Sequence, residues 1–202
     1  MDNQIQYKRI RLKDVPKVSK IMAECFIDYP LYKVFFPDES KRFMGIYYFF
    51  CARNACRRKY TYIVEDEDAV ISLKKPGDKE GPIALCAFNF ILVLHSLPYI
   101  KLSTYKLIFD YSDLAEKLEK KYYDPKTDNY FQLMCTKKAS RSKMLFFKII
   151  DNLDGRKPMY LETHTEKNVE LYKHYGCQVL ETTSWHGVPY YVMKRPASEP
   201  RL

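Results

Sequence analysis

Apolar and polar residues alternate from Gln4 to Leu12 (QIQYKRIRL), the period of a strand with one buried face. Asp14 then stands where an N-cap belongs, with Pro16 in the first turn. Val15, Val18, Ile21, Met22, Cys25 and Phe26 recur at helical spacing, which predicts a helix to about Ile27 that Tyr29-Pro30 stops. A second helix is predicted after Pro37, with Asp38 or Ser40 near its cap, carrying Phe43, Ile46, Tyr47, Phe50 and Ala55 toward Arg58. Two β-rich runs follow, Lys59 to Glu65 and Ala69 to Lys74, joined by the acidic Asp66-Glu67-Asp68 as a hairpin and ended by Lys75-Pro76-Gly77.

From Pro82 to Tyr123 the pattern turns helical: an apolar segment reaching Leu97, then an amphipathic one from Ser103 with Leu107, Tyr111, Leu114 and Leu118. Asn129 to Lys137 predicts a buried strand, Lys143 to Leu153 a helix and Pro158 to Thr163 another strand. Asn168 to Tyr175 reads as a short helix with Gly176 where a left-handed C-terminal cap belongs. Cys177 to Ser184 and Pro189 to Lys194 are predicted as closing strands, turned by Trp185-His186-Gly187. The chain lacks internal repeats and ends in a polar tail from Arg195.

Composition narrows the chemistry. The 202 residues suit one domain, and 47% hydrophobic content supports a sizeable core. Lys and Arg exceed Asp and Glu by 34 − 25 = 9, a surplus that favours an anionic partner such as a phosphorylated small molecule. The basic residues are spread through every segment, which argues against a nucleic-acid binder. Six glycines, none between Pro82 and Asp154, leave no place for a Walker loop or a dinucleotide fingerprint. The six cysteines (25, 51, 56, 86, 135 and 177) have neither Cys-x2-Cys spacing nor partner histidines, so no metal site is expected and reduced intracellular thiols are the simpler reading. Met1 to Lys13 has no apolar signal segment, and Pro82 to Pro98 is short for a membrane span and carries Asn89 and His95. The expectation is a cytoplasmic protein without a membrane anchor, monomeric or homodimeric.

One segment carries a resemblance. Leu161-Glu-Thr-His-Thr-Glu-Lys-Asn168-Val-Glu-Leu-Tyr172-Lys-His-Tyr-Gly176-Cys177 resembles the last third of a GNAT-type N-acetyltransferase, where a strand ending near a Glu is followed by Asn and a Leu-Tyr-x-x-x-Gly helix. The order of predicted elements extends that resemblance over residues 1–195 as one domain, with 82–123 as a helical insertion and 196–202 as a tail. The implied fold class is α/β (α+β), a mixed central sheet of six to seven strands flanked by helices. The implied activity is transfer of an acetyl group from acetyl-CoA to an amine of a small molecule or peptide, by direct attack in a ternary complex. A module that keeps the fold but binds a ligand or partner without acyl transfer is the alternative.

The family's cofactor loop, Arg/Gln-x-x-Gly-x-Gly/Ala, aligns with Arg141-Ser142-Lys143-Met144-Leu145-Phe146, so Met144 and Phe146 replace both glycines. Such a loop holds pyrophosphate on free backbone N–H groups at a helix N-terminus. Lys137, Lys138, Arg141 and Lys143, four cations within seven residues, would offset weaker backbone approach. The resemblance further implies that main-chain groups of Met134, Cys135 and Thr136 bind the pantetheine amides. Tyr172 would protonate the departing thiolate, with Tyr175 as a possible substitute. Asn168 would cap its helix, reach the cofactor, or both. Glu162 is the candidate base, or alternatively a binding group for a cationic substrate. His164 and His174 are expected to be exposed and without catalytic duty, and the Cys135 thiol to pack. For the acceptor, the aromatic residues Tyr29, Tyr32, Phe35, Phe36, Tyr47, Tyr48, Phe49 and Trp185 are candidates for pocket or core, with Asp28 and Glu24 as groups that attract an amine.

Overall fold

A computed structural model describes residues 6–37, 41–56, 60–64, 68–78, 101–137 and 157–197, and within the helix at 41–56 the side chains of 41–45 and 49 lie outside that description. The described residues form a seven-stranded sheet of order β1-β2-β3-β4-β5-β7-β6. The strands are β1 (Lys8–Arg9), β2 (Tyr60–Val64), β3 (Ala69–Lys74), β4 (Asn129–Thr136), β5 (Met159–Thr163), β6 (Gln178–Trp185) and β7 (Val188–Arg195). The pair β4–β5 is parallel and every other neighbouring pair is antiparallel. The helices are α1 (Val15–Phe26), α2 (Pro30–Phe35), α3 (Lys41–Cys56), α4 (Leu102–Tyr122) and α5 (Glu166–His174).

Helices cover both sheet faces, so the central strand β3 is buried along Ala69–Leu73 and its sequence is apolar throughout apart from Ser72. On one face, α1, α2 and α3 pack Val18, Met22, Leu31, Phe35 and Cys51 against Ile63 and Val70. Each such side chain contributes roughly 1.5–3 kcal/mol when fully buried. A ladder of hydroxyls crosses the same face: Asn54 Nδ2 donates to Thr61 Oγ1 at 2.8 Å, and Thr61 Oγ1 lies 2.9 Å from Ser72 Oγ. Further along it, α4 lays Leu118 against Tyr160, Tyr190 and Val192. On the opposite face, α5 buries Val169 and Tyr172 against Phe131, Met159 and Leu161.

The N-terminal strand is shorter than the alternation implies. Among the described residues only Lys8 and Arg9 pair with β2 as a strand, because a 3-10 turn at Leu12–Asp14 takes over after Ile10 donates its N–H to Thr61. Tyr29-Pro30 does not simply stop a helix; Pro30 begins α2 at the N1 position, where a missing N–H costs nothing. Thr165, rather than Asn168, is the N-cap of α5, its side chain accepting the Asn168 N–H at 3.3 Å. At the other end Gly176 has φ +83°, with Cys177 N–H returning to Tyr172 O and Gly176 N–H to Lys173 O. Trp185 belongs to β6, and the turn is the pair His186-Gly187, both at positive φ, as a tight hairpin requires. The expected caps Asp38 and Ser40, the apolar segment 82–97, the loop 141–146 and the helix 143–153 lie outside the described residues.

Candidate active site

The sheet divides between β4 and β5. Their pairing runs Asn129↔Met159, Tyr130↔Tyr160 and Phe131↔Leu161 and ends there. On the other edge of β4, Leu73 pairs with Phe131 and Ser72 with Leu133, so Gln132 is an extra, bulged residue. A bulge bends its strand and sharpens the twist, and this one falls where β4 leaves β5. From Gln132 to Thr136 the edge of β4 facing β5 has no β5 partner, and β5 continues against β7. Gln132 is exposed in mid-strand for the same reason.

A cavity of about 290 Å³ occupies the division, lined among others by Tyr29, Tyr32, Tyr111, Tyr130, Gln132, Met134, Glu162, His164, Asn168 and Tyr172. That is at the small end for a ligand site. Four of the predicted site residues meet here: Met134, Glu162, Asn168 and Tyr172. Cys135 is buried, its thiol packed into the α1 core and pushed well up by burial, while Thr136 is half-buried near the end of β4. Arg141, Ser142, Lys143 and Met144 lie outside the described residues.

Glu162 shares a face of β5 with Tyr160, whose hydroxyl donates to Glu162 Oε1 at 2.6 Å. Desolvation raises the Glu162 pKa above the ordinary 4.5, and the hydroxyls of Tyr160, Tyr190 and Tyr130 offset part of that rise. Among the described lining residues it is the sole carboxylate, and none is a lysine or arginine. The strand alternation turns Thr163 to the other face, where its Oγ1 accepts from Asn168 Nδ2 at 3.1 Å. Asn168 thus faces the cavity from inside α5 instead of capping it. Tyr172 is buried, edge-on to Phe131, and burial raises its phenol above 10. Tyr175 packs against the core beneath α5 and does not line the cavity.

His164 departs furthest from expectation. It is 6% exposed, and its ring contacts Tyr29, Tyr111 and Tyr190. Nδ1 lies 3.2 Å from Tyr29 Oη and Nε2 lies 3.0 Å from Tyr111 Oη, while the His164 N–H donates to Tyr29 Oη at 3.0 Å. Burial lowers its pKa to about 4, so the imidazole is neutral at physiological pH. The only trace of this in the sequence is a histidine two residues beyond the candidate base, just past a strand end, and its partners lie more than fifty residues away.

The remaining candidates belong elsewhere. Glu24 pairs with Lys137 and Asp28 with Lys33. Phe35, Phe36 and Tyr47 are core, Tyr48 is exposed, and Phe49 has no described side chain. Trp185 donates Nε1–H to Asp110 at 2.8 Å and packs on Phe35 and Tyr111.

A mixed sheet opened between its parallel central strands, with helices on both faces, is the GNAT acyltransferase fold. A histone acetyltransferase HPA2-related acetyltransferase from Corynebacterium glutamicum superposes with TM-score 0.61 over 98% of both chains at 13% identity. The C-terminal condensation domain of Ebony, solved with beta-alanyl-dopamine, gives 0.62 over 94% of this chain and 97% of that one at 12% identity. Arylalkylamine N-acetyltransferase 2 from Aedes aegypti gives 0.57 over 96% and 99% at 13% identity. No family model and no curated protein matches at the level of sequence. Among the described residues no group of His, Cys, Asp and Glu is arranged to hold a metal, and no helix is long and apolar enough to cross a membrane.

Proposed function

We propose that the protein transfers an acetyl group from acetyl-CoA to the primary amine of a small aromatic or alkyl molecule. The observation that carries this reading is the division between β4 and β5, with Glu162 and Tyr172 reaching it from opposite faces of the sheet. Backbone groups of residues 132–135, beyond the end of the β4–β5 pairing, fit the amides of a pantetheine arm, which would be held much as an added strand is held. Arg141, Ser142, Lys143 and Met144 are the residues we assign to the pyrophosphate. The co-substrate supplies an acyl thioester, electrophilic at its carbonyl carbon.

Glu162 accepts a proton from the substrate ammonium, and its raised pKa brings it closer to the working pH, where a base is most effective. A backbone N–H of Met134, Cys135 or Thr136 polarises the thioester oxygen. Tyr172 donates its Oη proton to the departing sulfur; burial keeps the phenol protonated until that moment. Asn168 and Thr163 hold the cavity wall between these two groups. The aromatic lining and single carboxylate suit a compact monocation, in keeping with the beta-alanyl-dopamine and arylalkylamine named for two of the structural neighbours.

The test is denaturation with and without coenzyme A, followed by turnover. A ligand at 100 times its Kd stabilises by about 2.7 kcal/mol. Tyr172→Phe is expected to lower kcat and leave coenzyme A affinity nearly unchanged. Met144 and Phe146 favour the second reading, a fold that binds a ligand without acyl transfer, and absence of any coenzyme A shift would select it.

A further inference from the structure

The hydrogen bonds around His164 join the two faces of the sheet. On the α5 face, Asn168 Nδ2 donates to Thr163 Oγ1, which lies 3.3 Å from Tyr29 Oη. Tyr29 Oη lies 3.2 Å from His164 Nδ1, and His164 Nε2 lies 3.0 Å from Tyr111 Oη on α4. Thr163, Tyr29, His164 and Tyr111 all line the cavity. An imidazole can take a proton on one nitrogen while releasing a different one from the other, so it conducts without holding charge. Few residue types can do this. Glutamine, by comparison, makes both hydrogen bonds but exchanges no proton.

Resting on the acetyl-transfer reading above, we propose that His164 is a proton relay linking the acceptor nitrogen to Tyr172 through Tyr111, Tyr29 and Thr163. The nitrogen, once bonded to the acyl carbon, gives a proton to Tyr111 Oη. Tyr111 passes its own to His164 Nε2, and His164 Nδ1–H passes to Tyr29 Oη. Tyr29 hands its proton to Thr163 Oγ1, and across the cavity that Thr163 and Tyr172 both line the Thr163 hydroxyl proton replaces the one Tyr172 gave the sulfur. Each group on the path takes one proton and gives one, and the first proton, removed from the ammonium by Glu162, leaves to solvent. His164 acts through the hydroxyls and does not touch the reacting atoms, and the groups facing it are Tyr29, Tyr111 and Tyr190. Its burial as a neutral ring agrees with conduction and not with a resting base.

The experiment compares the wild-type full chain with His164→Gln, using tyramine and acetyl-CoA, and reads the imidazole ¹⁵N spectrum separately. The expected result is a kcat at least about a hundredfold lower in His164→Gln, the low end of what proton transfer contributes, with both KM values within about twofold. Tyr29→Phe and Tyr111→Phe are expected to shift the wild-type ring's tautomer balance in opposite directions, a readout independent of turnover. Wild-type turnover with unchanged kcat in His164→Gln, or a fall explained by KM, would overturn the relay alone, as would one tautomer persisting in all three proteins. No coenzyme A shift and no turnover in the wild type would overturn the acetyl-transfer reading and the relay together.

Discussion

The same sheet face carries two unlike cores. Beneath α1 and α3 the packing is aliphatic and sulfur-rich: Val18, Met22 and Cys51 are fully buried, and Cys51 Sγ meets Met22 Sδ at 3.4 Å. Beneath α4 the layer is tyrosine: Tyr130, Tyr160 and Tyr190 surround Glu162, and Tyr123 packs on Tyr130 and Tyr160, with ring centroids 5.0–5.5 Å apart along the three. The first core gains from its apolar burial, and the polar groups it hides, Asn54, Thr61 and Ser72, are hydrogen-bonded to one another. The second hides hydroxyls and a carboxylate whose desolvation costs free energy, offset only where partners exist. The site lies where the two cores meet, at the bulge of Gln132, and the costly core is the one that supplies its carboxylate.

The contrast is broken most sharply at Glu162. Glu162→Gln is expected to lower kcat about 10²–10⁴-fold, the usual contribution of a general base, and yet to raise the melting temperature at pH 7. The sign follows from its raised pKa: above the unfolded value of 4.5 the buried carboxylate opposes folding, and the amide removes that charge. Calorimetry beside steady-state kinetics reads both. Met22→Ala is the converse, with about 2–5 kcal/mol of stability lost to the cavity and kcat unchanged below the new transition.

A smaller effect separates the cores by pH. Below pH 6.5 the unfolded chain takes up a proton at His164 that the folded chain refuses until about pH 4, so this contribution is present above 6.5 and lost as pH falls. Wild type should lose about 3 kcal/mol relative to His164→Gln between pH 7 and pH 4, read from urea denaturation at the two pH values. Smallest is Gly176→Ala. A Cβ there meets nothing closer than Arg195 Cγ at 4.0 Å, so the cost is the left-handed backbone alone, about 1–2 kcal/mol by the same denaturation, with KM unaffected.

The periods of two and 3.6 were enough for α1, β2, β3, β4 and β5, and Gly176 marked the end of α5, because those signals are local. Pro30 is where local reading failed: the residue that forbids continuation also favours a fresh start, and only Leu31 and Phe35 docking into the core decides between them. Asn168 was displaced as a cap by Thr165, three residues earlier, since the strand before it ends in time for the hydroxyl to reach. For the site, Glu162 and Tyr172 stand in a recognisable run, whereas His164 looked like an exposed loop histidine. Its burial is owed to Tyr29 and Tyr111, 135 and 53 residues distant.

Hydrophobic periodicity, turn residues and the run from Leu161 to Cys177 by themselves determined the order of the described elements apart from α2, the class of fold and two of the residues that line the cavity. Tertiary structure alone decided that β4 bulges at Gln132 and leaves β5, that a carboxylate is desolvated among tyrosines, and that an imidazole bridges the two sheet faces. A single segment records its own conformational preferences, while solvation and hydrogen bonding at a point in space depend on every chain segment that arrives there.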